Sequence, residues 1–480
     1  MQLVYSVSGL AIAGLLLPLV IGVVPALARQ TTVTGTAGTV VDYRERSYEH
    51  GDSVSSPDEG DKQKIGIRPE VLIVSRDSRD TLSVHYSPTF SYDYVSEDTG
   101  VDHQFNLQGE RWLSQHWSFS VADTYLRSDD PGTVSGSRTS PATSGIGGEQ
   151  PSPADTPTEL SRDLSGQKYW TNAASARTNY ALAKDSRVGG GYSYAVLRND
   201  AGSSGYEDYD KHTFFTDLAH GFSQNWRSSL GLDYTRGLYD TTRNSVSSSV
   251  GTPDLDQYGA RFGVDYVRTP HDFYPFKYTV AETQYDGDTR PDSQAHAWSA
   301  GWDHAFDSRT RLALGGGPSY AKIQGLDGTW GYNAYCSFSK TYEHAAYALL
   351  FNKLYETKNF SGSTGDSGLT DTYNARATFT YRYTEDLSFD LFGRYSWQSN
   401  LDPQGDYRAS VDGTGGSTGD VTYDKDIYEA GIGCAYSFAR WYKAGLKYSY
   451  YVSDGKLASD QYADHQVLFT LSASHELWRW

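Results

Sequence analysis

The sequence predicts an all-β fold: a transmembrane, antiparallel, up-and-down β-barrel of about twenty strands, with eighteen or sixteen as the neighbouring counts. Three observations lead there. Apolar and polar residues alternate with period two, as in Tyr373, Ala375, Ala377, Phe379 and Tyr381 against Asn374, Arg376, Thr378, Thr380 and Arg382. Such alternation puts one set on each face of a strand. The runs are longer than the usual five or six residues of globular strands, and match the roughly 9–11 that a tilted strand needs to cross a bilayer core. Short turns also alternate with long Gly/Ser/Asp-rich stretches, the asymmetry of a barrel with short periplasmic turns and long external loops.

Composition fits once a polar interior is assumed. The 480 residues carry a net charge of −18 and a mean hydropathy of −0.58, values that a barrel with a wet lumen and polar loops can show. Aromatic residues make up 14%, with 39 Tyr and 11 Trp, suited to the interfacial girdles where rings with a polar tip collect. Two cysteines, Cys336 and Cys434, fall at apolar-parity positions and exclude a disulfide framework. The acidic balance argues against nucleic acid as a partner.

In chain order, residues 1–28 read as a signal peptide: an apolar run, Gly9–Val24, closes on Pro25-Ala26-Leu27-Ala28, with Ala26 and Ala28 meeting the small-residue rule. Met1–Ser8 lacks the usual basic residue, and an uncleaved anchor is the alternative. Residues 29–480 read as the barrel. A weak first strand near Val33–Glu45 precedes Lys64–Val74, Leu82–Tyr94, Val101–Trp112 and Trp117–Leu126. Short turns then recur near Lys184-Asp185, Ser223-Gln224-Asn225, Pro270-His271, Asp307-Ser308, Glu343-His344, Glu385-Asp386 and Arg440. Two of the intervening loops are the longest, 129–167 and 401–425. Short turns recurring about every 35–55 residues also suit a β-propeller or a soluble β-sandwich array, but the strands are too long for either. The first strand should pair with the last, Asp464–Trp480, because a free sheet edge in hydrocarbon leaves unpaired N–H and C=O groups costing several kcal/mol each.

The last strand also carries an expected C-terminal assembly signal, Phe469, Leu471, Trp478 and Trp480, read by the barrel assembly machinery. Counting back in twos from Trp480 meets Glu476, Ser474 and Ser472, the polar parity, so a bulge near His475 is one resolution and a loose motif the other. Asp123 and Lys353 break the apolar face and are expected near the external rim, where a charge costs less than at mid-depth. Pro69, Pro88, Pro275 and Pro318 each remove a ladder donor and are expected at bulges or strand ends.

At Leu82–Ser128 a family resemblance emerges. The runs LSVHYSPTFSYDY and DHQFNLQGERWLSQHWSFSVADTYLRS, echoed by FSQNWRSSLGLDYTRGLYD and FDSRTRLALGGGPSY, resemble the second family of outer-membrane β-barrel porins, many of unassigned function. The resemblance implies a barrel in the cell outer membrane, facing lipid and lipopolysaccharide, and brings no catalytic residues with it.

Chemistry-bearing motifs are few. Gly415-Gly416-Ser417-Thr418-Gly419 has the spacing of a nucleophile elbow but lies in a Gly/Ser-rich loop with no helix to follow, so it reads as linker. The twelve His show no metal spacing, and no catalytic residue, cofactor or metal is expected. Asp286, Asp288 and Asp292, and Asp402, Asp406, Asp420, Asp424 and Asp426, read as a solvated acidic rim, with divalent cations bridging to lipopolysaccharide as the sharper alternative. Function should lie in the lumen. The inward candidates are Arg177, Arg227, Asp233, Arg261, Asp265, Asp303, Arg376, Arg382, Asp390, Arg394, Lys443 and Lys447. They either set ion preference or pair across strands to stabilise the wall. The 129–167 segment is the best internal filler, and an ordinary exposed loop is its simpler reading. The expected function is passive diffusion of small hydrophilic solutes, against a non-conducting barrel serving a structural or export role, for instance in an envelope polysaccharide system. No interface signature fixes an oligomeric state.

Overall fold

A computed structural model of the chain describes residues 29–48, 61–129, 168–200, 207–240, 253–287, 290–360, 368–401, 423–455 and 461–480. The expected signal peptide, most of the 129–167 and 401–425 loops, and the Gly415–Gly419 run lie outside them. Among the described residues, twenty strands of 12 to 19 residues form a single sheet, and no helix occurs. Each strand pairs antiparallel with its sequence neighbours. The ladder closes where β1 (Gln30–Tyr48) meets β20 (Tyr462–Arg479), from Thr32 opposite Arg479 to Tyr48 opposite Tyr462. Both chain ends of the barrel therefore sit at the short-turn end.

The first strand exceeds its expected bounds at both ends, because β2 (Lys62–Arg76) and β20 template it on either side. The C-terminal parity conflict is resolved by a bulge. The register shifts between Val33 and Thr34: Thr34 stands opposite Glu476 and Val33 opposite Trp478, so Leu477 is the extra residue. Its side chain lies over Gly35, where a Cβ would come within 2.8 Å of Leu477 Cδ1. After this step Trp478 joins the face of Phe469 and Leu471.

The expectation for the prolines is corrected. Pro69 and Pro88 sit inside β2 and β3 (Asp80–Asp93), where the ladder runs from Ile67–Phe90 straight to Val71–Tyr86 without a register shift. Pro275 in β11 (Asp272–Tyr285) and Pro318 in β13 (Thr310–Ile323) fall at similar gaps in the ladders with β12 (Ser293–Asp307). A missing N–H removes rungs on one side, and the long strand is held by the rungs above, below and on its other edge.

The two faces differ as the alternation demands. One face presents a continuous belt of exposed apolar side chains, including Ile67, Phe214, Phe262, Leu391, Ile432 and Leu446. Soluble monomers rarely expose apolar patches beyond a few hundred Å², so this face meets lipid. It also carries a repeated polar link. Tyr86 to His103, Tyr192 to His212, Tyr278 to His296 and Tyr448 to His465 each join a phenol to Nδ1 at 2.8–3.0 Å. In every case the Tyr is the seventh residue of a strand leaving a short turn, and the His lies diagonally across on the next strand. The pairs thus form a layer on the outer surface.

Two charges on this face, Asp123 and Lys353, are partnered. Asp123 of β5 (Trp117–Ser128) accepts a 2.6 Å bond from Asn172 Nδ2 of β6 (Tyr169–Ala183). Lys353 of β15 (Ala345–Thr357), only 2% exposed, reaches Asp371 of β16 (Leu369–Arg382) at 2.8 Å. Its ammonium sits 4.4–5.5 Å from the rings of Tyr332, Tyr355 and Tyr373. Removing one member of a buried pair strands the other charge. Lys353→Met is therefore expected to destabilise the barrel by about 3 kcal/mol, while Lys353→Met with Asp371→Leu stays within about 1 kcal/mol of wild type. Equilibrium unfolding in lipid vesicles checks both, and equal losses for the single and double variants would contradict the pairing.

Candidate functional site: the lumen wall

Strands of a barrel stand about 4.8 Å apart and tilt by about 40°, so twenty of them enclose a cylinder with a backbone radius of about 20 Å. Side chains on the inner face cannot fill that width. Among the described residues no separate domain occupies it.

The inner charges fall into two groups. The first spans β6, β7 (Ser186–Asn199), β8 (Tyr209–Gly221), β9 (Trp226–Tyr239), β10 (Leu255–Thr269) and β11 to β13. From β6 to β13, arginines lie along the wall against carboxylates. Arg177 Nη2 donates to Asp217 Oδ1 at 2.8 Å, reaching from β6 over β7 to β8. Gly189 and Gly191 of β7 leave the space: a Cβ on Gly189 would meet the Asp217 carboxylate at 3.0 Å. Arg261 lies 3.6 Å from Asp233 across Gly259, where a Cβ would strike the same carboxylate. Arg311 Nε donates to Asp303 at 2.7 Å, and its Nη2 binds the second oxygen. Arg227 faces Asp265 in the ladder without reaching ion-pair distance.

The second group lies on β16, β17 (Leu387–Asn400), β18 (Tyr423–Phe438) and β19 (Tyr442–Gly455). There Arg376 stands opposite Arg394, which in turn faces Glu429. Asp390 faces Gly433, which faces Lys447, and Lys443 lies nearer the short turns. Lys447 Nζ is 4.9 Å from the Phe392 ring. Arg382 closes β16 at the short-turn end. Sequence parity thus grouped the twelve candidates, while their pairing depends on which side chains can reach over an intervening glycine.

At the long-loop end a strut escaped the sequence reading. Beyond β15 the chain turns inward, and Phe360 packs against Tyr209 of β8 and Tyr239 of β9, with ring centroids 5.3 and 6.0 Å apart. Tyr209 donates to the Phe360 carbonyl at 3.3 Å, and Tyr239 donates to that of Asn359. The Asn359 side-chain oxygen accepts from Tyr285 at 2.9 Å and from the Gly368 amide at 3.1 Å. Lys211 lies 4.6 Å from the Phe360 ring. An aromatic residue opening a Gly/Ser-rich stretch was the one available signal.

Two acidic-loop residues have local roles. Asp286 binds Arg236 Nη2 at 2.7 Å, which holds its carboxyl below the ordinary range, and Asp292 accepts from the Tyr285 amide at 2.9 Å. Asp129, the first residue past β5, bonds inward to Lys64 at 2.7 Å.

No protein-family model and no curated protein sequence matches the chain. Among solved structures it is similar to Pseudomonas aeruginosa OpdQ, at 11% identity over 94% of this chain and 98% of that one, with a TM-score of 0.41. Acinetobacter baumannii OccAB4 gives 8% identity over 93% and 99%, with a TM-score of 0.41. A mutant of the P. aeruginosa ferric enterobactin receptor PfeA gives 10% over 92% and 80%, with a TM-score of 0.47. The barrel assignment stands on the closed ladder, independent of these likenesses.

Asn359 is 2% exposed, so deleting its side chain removes the acceptor of the Gly368 amide and one acceptor of Tyr285. Asn359→Ala should cost about 1–3 kcal/mol in equilibrium unfolding. A change below about 0.5 kcal/mol would show that the strut is not held by these bonds.

Proposed function

We propose that the protein is an outer-membrane, porin-like pore through which small hydrophilic solutes diffuse passively, without catalysis. The observation that supports this most is the width of the closed wall together with its polar inner face, since barrels of this size hold water unless a plug fills them. Short turns would face the periplasm and long loops the exterior, with residues 1–28 serving as the export signal. Trp478 and Trp480, beside Phe469 and Leu471, would present the end of β20 to the assembly machinery. Lipid and lipopolysaccharide would cover the apolar belt.

Purified protein reconstituted into planar bilayers is expected to give discrete conductance steps. A correctly folded barrel that stays silent would contradict the pore and favour a structural or export component.

A further inference from the structure

The inner wall carries its charge unevenly. Arg376, Arg382, Arg394 and Lys443 form no ion pair and no side-chain hydrogen bond among the described residues, and the Lys447 ammonium lies 4.9 Å from the Phe392 ring. Asp390 and Glu429 share this wall, yet neither closes on a cation, although Glu429 stands directly opposite Arg394. On β6–β13, by contrast, Arg177, Arg261 and Arg311 are each taken up by a carboxylate.

We propose that the β16–β19 wall is an anion track, holding solutes that present carboxylate or phosphate oxygens as they cross. This deepens the pore reading and rests on it. Like charges directly opposed on neighbouring strands are unfavourable, and Arg376 faces Arg394 in just this way. Such a pair suits a bridging anion, because two planar guanidinium forks can each grip oxyanion oxygens bidentately. Between that pair and Lys447 lies Phe392, lying over Gly431, where a Cβ would collide with the ring. The ring gives a flat apolar patch among cations, matched to the carbon skeleton of an organic acid.

Screening decides whether distant acids cancel this wall. Asp98, Asp102 and Glu110 lie on the inner parity of β4 (Asp98–Trp112), and Asp98 is already 3.3 Å from Lys168. Across a barrel about 20 Å in radius they stand tens of ångströms from β17, against a Debye length of about 8 Å at physiological salt. The field at this wall is therefore set by its own charges, the cations together with Asp390 and Glu429. The chain's net charge of −18 does not set the field at this wall.

The test uses two readouts on the folded, full-length barrel. In planar bilayers under a potassium chloride gradient, the zero-current potential should show chloride preference. Arg376→Gln/Arg394→Gln/Lys447→Gln should lower the chloride-to-potassium permeability ratio at least about threefold. Arg311→Gln, on the paired wall, should leave it nearly unchanged. Calorimetric titration of the detergent-solubilised barrel with citrate and with pyrophosphate should show binding weakened about tenfold in the triple variant, the stronger ligand identifying the oxyanion class. Cation preference in the wild type, or a triple variant that matches wild type in both readouts, overturns the track. A silent bilayer with variant-sensitive anion binding overturns the pore while keeping the anion site, and absent binding overturns the site itself.

Discussion

Backbone hydrogen bonding at the seam between β1 and β20 is the constraint from which the rest follows. Hydrocarbon offers no water to an open edge, so a sheet that faces lipid must return to its own first strand. Here the return runs the length of β1, ends in reciprocal backbone bonds between Thr31 and Trp480, and absorbs one surplus residue at Leu477. That bulge keeps the terminal tryptophans on the apolar face. Without it the last turn of the seam would turn indole rings inward and Arg479 toward lipid.

Closure also fixes which chemistry each face can bear. Outside, several polar groups are satisfied by other side chains: the diagonal Tyr–His links, Asp123 with Asn172, and Lys353 within its tyrosines and Asp371. Inside, water screens charge, and exposed ion pairs are worth little, about 0–1 kcal/mol each. Lumen charges are thus under weak pressure to pair for stability. Arg177, Arg261 and Arg311 pair near β6–β13 while Arg376, Arg382 and Arg394 on β16–β19 do not, a contrast for which stability gives no reason.

Much of this was legible because period-two alternation is local. Strand identities, the short turns and the outer or inner parity of residues such as Arg376 and Ile432 follow from counting in twos. What resisted was non-local. The contact between Arg177 and Asp217 spans a third strand and needs a glycine floor at Gly189 and Gly191. The Asn359–Phe360 strut joins segments on well-separated strands, which no periodicity encodes. The prolines misled because a rule about single rungs was applied to strands long enough to lose one.

Site-directed spin labelling tests the central claim most directly. In a background with Cys336 and Cys434 replaced by serine, single labels at consecutive positions from 374 to 381 and from 389 to 396 would be exposed to lipid-soluble oxygen and to a water-soluble nickel chelate. The account predicts a strict two-residue alternation, odd positions relaxed by oxygen and even positions by nickel. Uniform nickel access along both strands in bilayers, or alternation in the opposite sense, would contradict it.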